Sequence, residues 1–214
     1  MFPCFTSLRL ELRTTNMNFD HPPSDPIQAC KNWLLDAENY GLATPNAMTL
    51  ATVNELGKPC TRIVLLKDFD EQGAVFFTNR LSDKGRELKN HPHASLLFFW
   101  DKPHRQIRID GVVSKTTDEV SAAYFETRNR GSQIGAWASQ QSQPIANRQA
   151  LDDAVDEIEK RYEGTPVPCP PHWGGYRVQI DRIEFWQGLE DRLHDRIVFT
   201  ADGDGGWGVQ RLCP

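Results

Sequence analysis

The chain has 214 residues, of which 39% are hydrophobic and 25% charged, so it can bury a substantial core as one large or two small domains. Because no linker rich in Gly, Ser or Pro divides the sequence, we expect a single domain over residues 24–214, preceded by a mobile segment over residues 1–23. The net charge of -5 at pH 7 argues against non-specific binding to nucleic acid or to an anionic membrane. Any anion-binding site must therefore be local.

Cysteine usage and the N-terminal sequence indicate a cytoplasmic protein. The five cysteines are scattered and include no close pair that could hold zinc, a pattern typical of reduced thiols. Charged residues interrupt the apolar stretch near the N-terminus, which argues against a secretory signal, and no apolar run is long enough to cross a bilayer. His91 and His93 could share a strand face, but no carboxylate or thiolate accompanies them, so no metal site is predicted.

Capping residues and hydrophobic periodicity predict four helices. Asp25 and Pro26 begin the first, which Gly41 ends. Ser82 and Thr117 are the predicted N-caps of the next two. The last helix is amphipathic, with its charges on a solvated face. The predicted ranges of the later helices are 83–90, 117 to about 127, and about 147–162.

Between and after these helices lie about seven short stretches of strand-forming residues. The strands before residue 173 are predicted at 47–53, 59–67, 74–78, 93–100 and 105–115, with further strands from 173 to the C-terminus. Antiparallel hairpins with helices at the flanks indicate an α+β barrel, mainly antiparallel β, rather than a doubly wound sheet. The sequence lacks the glycine-rich motifs of dinucleotide and nucleoside-triphosphate sites and the nucleophile motif of α/β hydrolases.

Cationic residues on one predicted strand and one helix start suggest anion sites. Arg62 and Lys67 are five residues apart, so their side chains should leave opposite faces of the strand unless a bulge intervenes, and they could serve two different anions. Lys84 follows a helix start, where free backbone N–H groups attract phosphate. The alternative for Arg62 and Lys67 is a buried strand with charged ends.

A second group of residues surrounds the end of the third helix. Arg128 could face a phosphate together with Tyr124 and Ser132, or could instead interact with the helix dipole. Residues 133–142, small and polar around Trp137, predict a loop that lines a site.

The segment 185–196 concentrates chemically active side chains on a predicted hairpin. Trp186, Arg192, His194 and Arg196 fall within a dozen residues, at the end of one strand, a polar turn and the start of the next. Arginine supplies a cationic fork for phosphate, carboxylate or an electron-rich ring, and histidine can change charge near neutral pH. The alternative is a solvated turn that happens to contain a histidine.

Eight ordered motifs resemble those of the pyridoxamine 5′-phosphate oxidase family. They are R-I-V-L-L-K (62–67), F-T-N (77–79), S-Q-I-G-A-W (132–137), Q-S (141–142), W-G-G-Y (173–176), F-W-Q-G (185–188), R-L-H-D-R (192–196) and R-L-x-P (211–214). The resemblance covers about residues 25–214. It implies an FMN-binding split β-barrel with flanking helices, working as a homodimer with two sites at the subunit interface.

The resemblance also implies roles for individual residues. The FMN ligands would be Arg62, Ile63, Val64, Leu65, Leu66, Lys67, Phe77, Thr78, Lys84, Gln106, Gln141, Ser142, Trp186 and Arg196. The substrate-binding residues would be Lys67, Tyr124, Arg128, Ser132, Arg192, Leu193 and His194. Of these, Arg192 and His194 would be the catalytic residues.

The implied activity is oxidation of pyridoxamine 5′-phosphate and pyridoxine 5′-phosphate by O₂ to pyridoxal 5′-phosphate in vitamin B6 metabolism, with H₂O₂ released, and NH₃ from the amine. Asp83 stands where the family usually has arginine, which predicts weaker FMN binding. One alternative is another FMN-dependent oxidase on the same barrel, of the phenazine-biosynthesis type. The other is a non-catalytic protein that binds flavin or pyridoxal phosphate. The set Lys67, Tyr124, Arg128 and Ser132 favours the phosphorylated substrate.

Overall fold

The computed structural model describes residues 17–214. The α-helices in this part of the chain are α1 (Pro26–Asn39), α2 (Asp83–Asn90), α3 (Asp118–Glu126), α4 (Arg130–Ala138) and α5 (Arg148–Arg161). The strands are β1 (Ala47–Val53), β2 (Pro59–Leu65), β3 (Asp68–Asp70), β4 (Gly73–Asn79), β5 (His93–Trp100), β6 (Arg105–Lys115), β7 (Trp173–Gln187), β8 (Asp195–Ala201) and β9 (Trp207–Leu212). A short 3₁₀ turn, Glu190–Arg192, connects β7 to β8.

The strands form one antiparallel sheet that curls into a barrel. Their order is β2-β1-β5-β6-β7-β4-β3, and β8 pairs with β7 and β9. The barrel closes where β2 ends beside β4, since Lys67 N donates to Val75 O at 2.8 Å. The α+β barrel with flanking helices predicted from the sequence is confirmed.

The core fills the barrel because alternate strand residues point inward. Leu50, Leu96 and Phe76 are fully buried there. Helix α1 covers one end of the barrel, where Trp33 meets Phe185 edge-on with ring centroids 5.1 Å apart. A smaller apolar cluster packs α3, α4 and α5 against the start of β7. This second cluster fixes the helices that border the candidate site.

Strand β7 is a single 15-residue strand, longer than the short strands predicted for this region. It stays paired with β6 across a bulge, because the register shifts between Asp110 and Gly111. A Cβ at Gly111 would lie 1.9 Å from Gln179 O, so the close approach of the two strands requires glycine here.

The prediction of a loop over residues 133–142 is wrong for residues 133–138, which belong to α4, whereas residues 139–142 lie outside any helix or strand. Asn129 caps this helix by accepting a hydrogen bond from Ser132 N at 2.8 Å. Ile134, 1% exposed, anchors the helix in the smaller cluster. The small and polar residues around Trp137 masked a helix whose stability comes from its cap and its packing.

Part of the predicted mobile segment, residues 1–23, packs on the barrel. Phe19 is 8% exposed and belongs to the main core, and Asp20 pairs with Arg211 of β9. Packing therefore begins before residue 24, while residues 1–16 lie outside the described part of the chain. No helix among residues 17–214 is long and apolar enough to cross a membrane.

Candidate active site

A cavity of about 1470 Å³ opens among β2, β4, α3, α4 and the start of β7. Twelve of the residues predicted for the site line it: Arg62, Ile63, Val64, Leu65, Lys67, Phe77, Thr78, Lys84, Tyr124, Arg128, Ser132 and Gln141. Leu66 is buried in the core beside them. Ser142 accepts a hydrogen bond from Asp83 N at 3.2 Å, at the start of α2.

Arg62 and Lys67 both line this one cavity, although their spacing predicted side chains on opposite faces of one strand. Strand β2 ends at Leu65, and Lys67 N bonds to β4 instead of β1. Because the alternation of side chains holds only within a strand, it does not apply to Lys67.

One end of the cavity combines two cations with polar side chains from three separate segments. Lys84 Nζ lies 3.3 Å from Gln141 Oε1, and Thr78 Oγ1 donates to the same oxygen at 3.2 Å. Burial, and then the charge of Arg62, lower the pKa of Lys84 below its ordinary value. Arg62 and Lys84 are neighbouring cations, and partly desolvated cations favour an anionic ligand. The phosphate of FMN is an anion of this kind.

The other end of the cavity is aromatic and carries a second pair of cations. Phe77 stacks on Tyr124 at 4.1 Å between ring centroids, and Lys67 Nζ lies 5.8 Å from the centre of the Tyr124 ring. Arg128 Cζ lies 4.8 Å from the centre of the Trp173 ring. Lys67, Tyr124 and Arg128, which were predicted to bind the substrate phosphate, all line this end.

Arg128 carries a buried hydrogen-bond donor, its NH1 group, which finds no partner among residues 17–214. Burial lowers the pKa of the Arg128 guanidinium below its ordinary value. A buried donor without a partner costs free energy, which a bound phosphate oxygen would recover.

The remaining predicted residues lie outside this cavity, on the hairpin formed by β7 and β8 and on the neighbouring strand β6. In the sheet register Gln106 of β6 is opposite Trp186 of β7, which is opposite Arg196 of β8. The turn that follows β7 carries Arg192, Leu193 and His194, and the side chain of Leu193 is exposed. Trp173, which lines the cavity, and Trp186 lie near opposite ends of the 15-residue strand β7. One chain therefore holds two groups of site residues in different places.

Ring packing orders the hairpin around Trp186. The ring of His194 lies 4.7 Å from that of Trp186 between centroids, and His194 Nδ1 accepts a hydrogen bond from Leu189 N at 3.1 Å. His104, which the sequence did not single out, packs edge-on against Trp186 at 5.2 Å. A Cβ at Gly188 would lie 2.2 Å from His104 Nδ1, so glycine is needed for this packing.

Glu184 is a second residue that the sequence reasoning missed. Its side chain is 3% exposed and accepts hydrogen bonds from Arg196 Nε and NH2 at 2.8 and 2.7 Å. Burial alone would raise the pKa of Glu184, but hydrogen bonds from Arg182 and Arg196 hold the pKa below its ordinary value. An acid two residues before Trp186 on one strand shares its face, which was the available signal.

Comparisons with known proteins agree with this geometry. Residues 34–162 match the family model described as pyridoxamine 5′-phosphate oxidase. Residues 173–214 match the model described as pyridoxine 5′-phosphate oxidase C-terminal dimerisation region. The chain belongs to the pyridoxamine 5′-phosphate oxidase family. The predicted family, its FMN cofactor and the class of flavin-dependent oxidoreductases are thereby confirmed.

Individual relatives match over almost the whole chain. A pyridoxine/pyridoxamine 5′-phosphate oxidase of Rubrobacter xylanophilus is 49% identical, over 97% of this chain and 95% of the relative. One of Myxococcus xanthus is 52% identical, over 90% of this chain and 93% of the relative. Among solved structures, PhzG of Burkholderia lata 383, in complex with tetrahydrophenazine-1-carboxylic acid, matches with a TM-score of 0.86 and 33% identity, covering 92% of this chain and 96% of PhzG.

Proposed function

We propose that the protein oxidises pyridoxamine 5′-phosphate and pyridoxine 5′-phosphate to pyridoxal 5′-phosphate, with FMN as cofactor and O₂ as the electron acceptor. The observation that carries this proposal is the pair of cationic ends in one cavity, which suits two phosphorylated molecules side by side. Relatives about half identical over nearly the whole chain are named for this activity.

The polar end of the cavity would hold the FMN phosphate. Arg62 and Lys84 would supply charge, and Thr78, Gln141 and Ser142 hydrogen bonds. Gln141 contacts both Lys84 and Thr78, and Ser142 contacts Asp83 N at the start of α2. The residues of β2 that follow Arg62 would border the flavin, as would Phe77. FMN, when bound, accepts the hydride from the substrate carbon and passes the electrons to O₂.

The aromatic end would hold the substrate phosphate through Lys67, Tyr124, Arg128 and Ser132. The buried, unpartnered NH1 of Arg128 supports this assignment. Charge-assisted hydrogen bonds from these groups would fix the substrate so that its reacting carbon meets the flavin. The pyridine ring would then extend from the phosphate toward the middle of the cavity.

A second copy of the chain would complete each site. Gln106 of β6 and the hairpin residues Trp186, Arg192, His194 and Arg196 lie outside the cavity. The segment that carries the last four matches a family model described as a dimerisation region. We therefore assign the hairpin of one subunit to the cavity of the other, in a two-fold symmetric homodimer. Trp186, Gln106 and Arg196 would contact the flavin, and Arg192, Leu193 and His194 the substrate.

Arg192 and His194 would act on the substrate ring. Arg192 lies in the exposed turn with a positive φ of 62°, and its fork would orient and polarise the substrate. His194 Nδ1 accepts from Leu189 N, so in neutral His194 the proton is on Nε2. The Nε2 group would donate a hydrogen bond to the substrate.

Turnover of the purified protein tests the proposal. After loading with FMN, it should consume O₂ and form pyridoxal 5′-phosphate from both phosphorylated substrates, and work poorly on unphosphorylated pyridoxine. Because PhzG is similar in structure, a tetrahydrophenazine carboxylate is the second substrate to test. Oxidation of that compound, without turnover of pyridoxine 5′-phosphate, would establish the phenazine-type alternative. Flavin binding without any turnover would establish a non-catalytic protein.

We also propose the cytoplasm as the compartment of this protein. Cys30, Cys60, Cys169 and Cys213 all carry free thiols, which supports a reducing environment. Cell fractionation would test the assignment, and recovery in a membrane or secreted fraction would contradict it.

A further inference from the structure

Glu87 is outside the cavity lining but contacts Arg62, which lines the polar end of the cavity. It is on α2, three residues after Lys84, and is 8% exposed. Its Oε2 accepts hydrogen bonds from Arg62 NH2 at 2.8 Å and from Thr52 Oγ1 at 2.5 Å. Thr52 Oγ1 also accepts from Arg62 NH1. Three side chains from β1, β2 and α2 therefore form a closed triangle of hydrogen bonds.

This triangle fixes Arg62 without using up its donors. A guanidinium has five N–H groups, and the two contacts with Glu87 and Thr52 engage one each. Arg62 also lines the cavity. The remaining N–H groups are available to an anion there, in an orientation that is set before the anion arrives.

The charge of Glu87 also balances the two cations. Burial and Arg62 lower the pKa of Lys84, whereas Asp83 and Glu87 raise it. Burial alone would raise the pKa of Glu87, but hydrogen bonds from Thr52 and Arg62 lower it below its ordinary value. Glu87 is therefore an anion at neutral pH, and it offsets the repulsion between Arg62 and Lys84 in the cofactor-free protein.

We propose that Glu87 is a positioning residue for the FMN phosphate. Together with Thr52 it holds the Arg62 guanidinium at the cavity wall, so that the phosphate site is formed before FMN binds. The proposal rests on the assignment of Arg62 and Lys84 to the FMN phosphate under the proposed function. Pre-organisation reduces the entropy lost on binding, so Glu87 acts on affinity without touching the cofactor.

The test compares FMN with riboflavin, which lacks the phosphate, by titrating the flavin-free protein and following flavin fluorescence. Glu87→Ala should weaken FMN binding about tenfold, because the side chain of Arg62 must then be ordered on binding. Riboflavin affinity should stay within about twofold, since no phosphate contacts Arg62. Glu87→Gln keeps an acceptor for both partners and should stay within about threefold of the wild type for FMN.

Asp36→Asn provides the matched control. Asp36 of α1 is about as buried as Glu87 and pairs with Arg105 of β6 at 2.8 Å, so the change should lower stability but leave the ratio of FMN to riboflavin affinity unaltered. If Glu87→Ala does not fold, Thr52→Val can replace it, because it removes the other partner of Arg62. Thr52→Val should weaken the binding of FMN about threefold and leave the binding of riboflavin unchanged.

Each remaining outcome counts against the proposal. Unchanged FMN affinity in Glu87→Ala would overturn it, and an equal loss for FMN and riboflavin would show a general structural role instead. Glu87→Gln as weak as Glu87→Ala would mean that charge, not hydrogen-bonded positioning, matters. If the wild-type protein bound no FMN, the proposed function would fail together with the proposal for Glu87. If the wild type bound FMN and Glu87→Ala bound it equally well, only the proposal for Glu87 would fail.

Discussion

The guanidinium of Arg128 lies over the indole ring of Trp173, with its central carbon 4.8 Å from the ring centre. Phe125 lies against the same guanidinium at 5.4 Å. Stacking on aromatic faces fixes the plane of an arginine and therefore the direction of its N–H groups. The aromatic end of the cavity therefore presents N–H donors in a fixed direction and not only a positive charge.

Arg128→Lys should therefore raise the KM for pyridoxine 5′-phosphate about tenfold with a smaller change in kcat, because lysine keeps the charge but loses the planar, stacked donor. Steady-state kinetics on the FMN-loaded protein would measure the effect. Arg130→Lys is the control, since Arg130 donates to the carbonyls of Tyr162 and Thr165 and is not in the cavity lining. Equal KM values for the two variants would contradict the assignment of Arg128.

Asp83, at the start of α2, should lower the affinity for FMN. It pairs with Arg86 on the exposed side of α2 and places a negative charge beside the proposed phosphate site. Asp83→Arg should strengthen FMN binding about five- to thirtyfold, as one added charge-assisted contact would. Asp83→Asn, which only removes the charge, should give a smaller gain. Titration of the flavin-free variants would measure both affinities, and a weaker complex in Asp83→Arg would contradict the location of the phosphate.

Glu184 should make stability depend on pH. Its pKa in the folded protein is below its ordinary value, so its contribution is present above the unfolded pKa of about 4.3 and is lost as the pH falls through the folded pKa. At pH 7, Glu184→Gln should lower the free energy of unfolding by about 2 kcal/mol, because three arginines lose a buried counter-charge. Below about pH 4 the difference between variant and wild type should shrink.

Urea unfolding of the flavin-free proteins at the two pH values would measure this difference. Glu157→Gln is the control, because Glu157 pairs with Arg161 on the exposed face of α5 and should matter by less than about 0.5 kcal/mol. A gap between Glu184→Gln and wild type that stays constant from neutral to acidic pH would show that Glu184 does not act through its charge.

Local signals in the sequence were enough for most elements. The predicted range of α2 agrees with the structure at both ends, and Asp25 caps α1 as predicted, with its side chain accepting from Ile27 N and Gln28 N. The helix α4 was missed because glycines and polar residues hide its buried face. Its stability depends on Asn129 and on packing by Ile134, which periodicity did not reveal.

For the candidate site as well, the sequence predicted some residues and missed others. Nine of the twelve predicted lining residues lie in the motifs, which are short and continuous, whereas Lys84, Tyr124 and Arg128 were predicted from their places at helix ends. The motifs did not locate the acids that hold the arginines, since Glu87 is 25 residues from Arg62 in the chain and Glu184 is 12 residues from Arg196. Contacts across strands depend on register, which a single sequence specifies weakly.

In the proposed dimer, the cavity of one subunit and the hairpin of another form one redox site. Mixing two impaired variants, Arg128→Ala in the cavity and Arg192→Ala in the hairpin, tests this arrangement at a substrate concentration at which each variant alone has little activity. If each site takes its two parts from different chains, subunit exchange leaves one intact site in every mixed dimer, and about a quarter of the wild-type rate of pyridoxal 5′-phosphate formation should return. No recovery after verified exchange would mean that both parts come from one chain, and would contradict the account.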